Sequence, residues 1–172
     1  MSNPRIGIIM GSASDIAVAE KGTPVLAELG IEFEAAIASA HRTPDDVEGY
    51  ARNARQRGIE VIIAVAGLSA ALPGVVAAST TLPVIGVPVK GGALDGLDAL
   101  LSIAQMPPGV PVASVGLNAM KNACLMAARI IASHDEGLTE KLRDWAAKAA
   151  SEVAKSREKL EGLPAAPQEA YQ

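Results

Sequence analysis

The chain has two histidines, and only one of them stands where it could do chemistry. His41 is followed at once by Arg42 and closes an apolar run that ends at Ala38. Histidine is the side chain that gives and takes a proton near neutrality. Arginine beside it offers a planar fork of donors suited to a phosphate or a carboxylate. A lone histidine can also serve as a hydrogen-bonded structural residue. A place on a ligand-binding rim, argued below, favours proton transfer for His41. The other, His134, sits beside Asp135 and Glu136 after a long apolar segment and reads as a helix-end cap.

Two further clusters are candidates. Gly11, Ser12, Ala13, Ser14 and Asp15 follow a first apolar run and put two hydroxyls, a carboxylate and free backbone N–H groups at a helix start. That set suits a phosphate or a sugar hydroxyl. The same residues can equally be an ordinary helix cap. Residues Ala66 to Gly74 are nearly all small. They can form a simple strand-to-helix turn, or let backbone N–H groups approach a carboxylate or trapped carbon dioxide.

Other chemistries find little here. The glycine fingerprint of dinucleotide sites, the Walker phosphate loop and the Gly-x-Ser-x-Gly nucleophile elbow are absent. No His-x-x-x-His or Glu-x-x-His spacing offers metal ligands, so no metal site is expected. The single cysteine, Cys124, excludes an intramolecular disulfide, lies in an apolar run and reads as a small core residue. What remains is cofactor-free proton transfer on an anionic ligand.

The elements that must position these residues follow a parallel βαβ rhythm, short apolar runs alternating with helical patterns. Strands are expected over Arg5–Met10, Ile31–Ala38, Glu60–Val65, Leu82–Val89 and Val110–Gly116. Between them, a helix runs to about Leu29 with a kink or restart at Gly22–Pro24, Thr23 capping and Pro24 in the first turn. Thr43, Pro44, Asp45 and Asp46 start another helix with a capping hydroxyl, an early proline and acids at the positive dipole end. Helices also cover Leu97–Ala104, Ala119–Ser133 and Leu138–Leu160. The Ala119–Ser133 segment is apolar on most sides, which demands burial and suggests that part of it meets another subunit. The expected fold is a three-layer αβα sandwich around a flavodoxin-like, doubly wound parallel sheet, with an added C-terminal helix. Residues 1–161 form one domain and residues 162–172 a loose tail. In such sheets ligands sit beyond the carboxyl ends of the strands, where the candidate turns converge.

Bulk properties agree. The 172 residues are 49 % hydrophobic, but only Phe33, Tyr50, Trp145 and Tyr171 are aromatic. A net charge of −4 with so few stacking rings argues against nucleic-acid binding. The first apolar run, Ile6–Met10, is too short for a signal peptide, and no run reaches membrane-spanning length. A cytoplasmic protein is expected.

Taken in order, these turns resemble the PurE family of aminoimidazole ribonucleotide carboxylating enzymes. The resemblance rests on Met10–Asp15, Ser39–Pro44, Ala66–Gly74, Pro83–Val89, Gly96–Ser102, Gln105–Pro107 and Gly109–Val112, and it spans about Ile6 to His134. It implies an octamer without metal or organic cofactor that works in purine biosynthesis on a ribonucleotide and carbon dioxide. The reaction implied interconverts N5-carboxyaminoimidazole ribonucleotide and 4-carboxy-5-aminoimidazole ribonucleotide. By resemblance His41 is the catalytic proton shuttle. The substrate-binding residues implied are Gly11, Ser12, Ser14, Asp15, Ser39, Ala40, Arg42, Gly67, Leu68, Ser69, Ala70 and Leu72. Among them Ser12 and Asp15 hold the ribose 5-phosphate portion, Arg42 meets the phosphate, and the backbone of Gly67–Ala71 lines a carbon dioxide pocket. The mutase branch usually has a histidine where this chain has Ala71. Ser69 leans toward the branch that fixes free carbon dioxide directly onto aminoimidazole ribonucleotide. That branch usually has lysine at the place of Arg42 and lacks Leu72-Pro73-Gly74, so the mutase is preferred. The carboxylase and a non-catalytic ribonucleotide-binding module are the alternatives.

Overall fold

A computed structural model describes residues 4–171. Residues 1–3 and 172, assigned above to the start of the domain and to its tail, lie outside the described residues.

β1 (Ile6–Met10), β2 (Phe33–Ile37), β3 (Val61–Gly67), β4 (Val84–Val89) and β5 (Ala113–Ser114) form one parallel sheet in the order β2-β1-β3-β4-β5. This is the flavodoxin-like order, whose switch point lies between β1 and β3. β3 shows why the sheet needs two helical layers. Val61, Ile63 and Val65 pack with one core cluster and Ile62, Ala64 and Ala66 with the other, all at most 5 % exposed. A strand buried on both faces must be apolar throughout, as this β-branched run is.

One layer contains α1 (Ile16–Ala19), α2 (Thr23–Leu29) and α6 (Met120–Ala132), with α7 (Glu136–Ser156) packed outside. The other contains α3 (Pro44–Asn53), α4 (Leu72–Ala78) and α5 (Leu97–Ala104). After α7 the chain continues through a 3₁₀ turn at Arg157–Lys159 to a second at Gln168–Tyr171, where the Arg157 guanidinium lies 3.7 Å from the Tyr171 ring centre. Among the described residues, no helix is long and apolar enough to cross a membrane.

Several local expectations need correction. The restart expected at Gly22–Pro24 is there, with α1 ending at Ala19 and Pro24 in the first turn of α2, but Gly22 rather than Thr23 is the cap residue. Thr23 instead donates its hydroxyl to the Glu20 carbonyl. The cause is tertiary: a Cβ on Gly22 would lie 2.7 Å from the Met120 carbonyl carbon, so α2 and α6 meet backbone to backbone there. Thr43 does precede α3, but its hydroxyl turns back to Ser39 and caps nothing. β5 shrinks to two residues, since Pro111 brings no N–H and the chain turns away at Gly116. α6 keeps a solvent face of Lys121, Asn122, Met126 and Arg129, so it is amphipathic.

His134 caps no helix. Its Nε2 lies 2.6 Å from a Glu60 oxygen, and Asp135 caps α7 by accepting the Leu138 N–H. Arg5 donates to both Glu60 and Asp135, tying the starts of β1 and β3 to the α6–α7 corner. Burial pushes the Glu60 carboxyl up, but hydrogen bonds from Arg5 and His134 outweigh it and hold it below the ordinary range. A lowered carboxyl stabilises the fold above its unfolded pKa and loses that contribution as pH falls through the folded one. Glu60→Gln is therefore expected to cost about 1–2 kcal/mol near pH 7. The gap to wild type should close toward pH 3. Thermal melts across that range check it, and a gap independent of pH would contradict the linkage.

Candidate active site

The parallel sheet delivers four turns to one rim, at the carboxyl ends of β1 to β4, and together they enclose a cavity of about 640 Å³. The first turn starts at Gly11, whose N–H donates to the Val65 carbonyl at 3.1 Å across the switch point. Ser12 caps a short 3₁₀ turn over Ala13–Asp15. Its hydroxyl oxygen accepts the Ser14 N–H at 3.3 Å, while an Asp15 oxygen accepts the Ser12 N–H at 3.1 Å. The capping reading of this cluster is thus correct, and it leaves the cluster on the cavity wall.

Asp15 is the only charged or polar side chain buried below a tenth of its surface among the described residues, at 6 % exposed. Burial pushes its carboxyl above the ordinary range, against hydrogen bonds from the Ser12 and Gly11 backbone and the Ser14 side chain. Its pH signature is opposite to that of Glu60. A raised carboxyl favours folding while protonated and loses that advantage as pH rises through the folded pKa. Asp15→Asn is expected to match or exceed the wild-type Tm at pH 7.5, with the difference vanishing near pH 3.5. Melts at the two pH values check this, and a Tm well below wild type at pH 7.5 would contradict it.

The second turn joins the first through Arg42. Its Nη2 donates to the Gly11 carbonyl and its Nε to Ser39 Oγ, both at 3.4 Å. The turn itself is locked by the Thr43 N–H donating to the Ser39 carbonyl at 2.8 Å. Ala40 lines the wall, and His41 stands exposed at the mouth, beside the hydroxyl-rich first turn rather than in the core.

The third turn departs from expectation in one respect. β3 runs on to Gly67, which pairs with Val89, so the turn proper is 68–71 and α4 already begins at Leu72. Leu68 and Ala70 adopt left-handed backbone, with φ of 55° and 37°. Leu68, Ser69, Ala70, Ala71 and Leu72 all face the cavity.

Every residue proposed from sequence for the site therefore lines this one cavity. The fourth turn, Val89, Lys90 and Gly91, contributes as well. The rule that ligands sit beyond strand ends places it on this rim, because β4 neighbours β3, but none of its residues was named for the site from sequence. Lys90 also carries the only charged ammonium on the cavity wall. Cys124 lies buried in the core, where burial pushes its thiol up to about 12, and takes no part. Among the described residues, no three His, Cys, Asp or Glu side chains gather closely enough to share a metal ion.

A wall of small residues and backbone donors, with an arginine, a lysine, a buried carboxylate and an open imidazole, can hold a multiply charged anion and move a proton on it. Comparison with known proteins agrees with that chemistry. The family described as AIR carboxylase matches residues 5–152. The chain is 52 % identical over 160 residues to the N5-carboxyaminoimidazole ribonucleotide mutase of Thermotoga maritima, covering 93 % of this chain and 94 % of that one. It is 52 % identical over 161 residues to the phosphoribosylaminoimidazole carboxylase of Saccharomyces cerevisiae, where it spans 28 % of the larger protein. The crystal structure of Treponema denticola PurE superimposes with a TM-score of 0.82 at 32 % identity, covering 92 % of this chain and 99 % of that one. On a family match across most of its length, and on relatives about half identical to it, this chain belongs to the AIR carboxylase family.

Proposed function

We propose that this chain interconverts N5-carboxyaminoimidazole ribonucleotide and 4-carboxy-5-aminoimidazole ribonucleotide in purine biosynthesis. One observation carries the reading. His41 and Arg42 meet the 11–15 and 67–72 turns in a single cavity, in a chain half identical over nearly its full length to a protein named for that reaction. Arg42 and the Ser12–Asp15 turn hold the ribose phosphate portion. The carbamate C–N bond breaks, the amine takes a proton from His41, and carbon dioxide stays against the small-residue turn at 67–71. Imidazole C4 then bonds to the carbon dioxide, and the C4 proton returns to His41, so the residue ends as it began. The residues that carry these steps need no bound metal or organic cofactor.

A second reading, direct fixation of free carbon dioxide onto aminoimidazole ribonucleotide, is favoured by Ser69 and Ala71 and by the name of the yeast relative. Turnover of N5-carboxyaminoimidazole ribonucleotide is compared with that of aminoimidazole ribonucleotide plus bicarbonate. Faster use of the first supports the mutase, and faster use of the second supports the carboxylase. Ligand binding without either turnover leaves a binding module.

A cytoplasmic homo-oligomer, an octamer by family resemblance, is part of the same reading. Phe33 and Ile37 on edge strand β2, Leu97 and Leu101 on α5, and Met126 on α6 are large apolar side chains at least 37 % exposed, and assembly would cover such surface. Sedimentation as a monomer of 17.5 kDa would overturn the oligomer.

A further inference from the structure

The two cations on the cavity wall stand at different ends of it. Arg42 is fixed by the Gly11 carbonyl and Ser39 Oγ, on the side of the hydroxyl-rich turn. The 68–71 turn brings no charge of its own. Its neighbour across the sheet is β4, where Gly67 pairs with Val89, and Lys90 is the next residue. Lys90 is therefore the cation that the fold places beside the carbon dioxide end of the site.

That placement is built rather than incidental. The Lys90 N–H donates to Asn118 Oδ1 at 2.9 Å, and Asn118 holds a left-handed φ of 55°. Gly96 closes the loop so tightly that a Cβ there would lie 2.9 Å from Lys90 Cα. Its partner is Asp95, 3.1 Å from Nζ and also left-handed at φ 53°. The two side chains are 56 % and 72 % exposed, so this ion pair contributes little and is easily exchanged for a ligand anion. The ligand points the same way, since both ribonucleotides of the proposed reaction carry two anionic groups, a phosphate and a carboxylate, and the wall brings two cationic side chains from different turns.

We infer that Lys90 is a specificity-determining residue that leaves Asp95 to pair with the substrate carboxylate, so that the site prefers carboxylated ribonucleotides to aminoimidazole ribonucleotide itself. This rests on the function proposed above. A charge-assisted hydrogen bond to a carboxylate sets the size of the preference.

The test is calorimetric titration of the full-length chain and its Lys90→Met and Lys90→Arg variants with 4-carboxy-5-aminoimidazole ribonucleotide and, separately, with aminoimidazole ribonucleotide. Lys90→Met is expected to weaken binding of the carboxylated ligand by about 10- to 100-fold. Binding of the uncarboxylated one should change by less than about twofold, and Lys90→Arg should restore most of the loss. Equal weakening of both ligands would overturn the inference, as a phosphate contact or a damaged fold would do that. No change in either would overturn it as well. A wild-type chain that binds neither ribonucleotide would instead overturn the function reading, and this inference with it.

Discussion

His41→Asn is expected to lose turnover by about 10²- to 10⁴-fold while keeping ribonucleotide affinity close to wild type. The argument is one of place. The imidazole stands exposed at the cavity mouth, and among the described residues nothing hydrogen-bonds its ring, so its removal breaks no structural contact. Asparagine keeps the size and polarity but cannot relay a proton. Steady-state kinetics with calorimetric binding on the same preparations separates the two effects. Turnover at the wild-type rate would remove His41 from the mechanism. A parallel loss of binding would make it a ligand contact instead.

The second large effect falls far from the cavity and touches only the fold. Gly22→Val is expected to destabilise the chain by about 3 kcal/mol, a large part of the ~5–15 kcal/mol that holds a typical domain together. A Cβ at this position would lie 2.5 Å from Met120 Cγ and 2.7 and 2.8 Å from the Met120 carbonyl carbon and oxygen. The backbone of a helix cannot move aside as a side-chain tip can, so α2 must lift from α6. Met120 is fully buried in the same core cluster as Val25 and Leu26. Chemical denaturation checks the loss, while activity per folded molecule should stay near wild type. A midpoint within error of wild type would mean that the two helices separate freely.

Gly22 also shows what the sequence could and could not convey. Gly22, Thr23 and Pro24 announce an interruption, and one is there. The reason for a glycine lies 98 positions away at Met120, beyond any local pattern. The strands were legible for the opposite reason. Val61–Val65 is apolar throughout, and β-branched except at Ala64, because both of its faces are covered, a constraint visible residue by residue. His134 misled because its partner, Glu60, comes from another strand's approach and not from its own helix end. The site was legible where whole turns carry polar or small residues, as at Gly11–Asp15 and Ser39–Arg42. Lys90 was not, since a lone lysine after a strand looks like any solvated surface charge. Only the Gly67–Val89 pairing puts it beside the 68–71 turn.

That turn has a further consequence. Leucine and alanine in left-handed backbone, as at Leu68 and Ala70, are costlier than glycine would be, by roughly a kilocalorie or more each. The surrounding fold therefore dictates the curl before any guest arrives, held by Ala70 N–H on the Gly67 carbonyl and by the buried Ala70 methyl. A receptacle already in shape surrenders little disorder on occupation. Under the proposed function, a ligand there would meet a mould set in advance, with the ordering of the turn already completed when the chain folds.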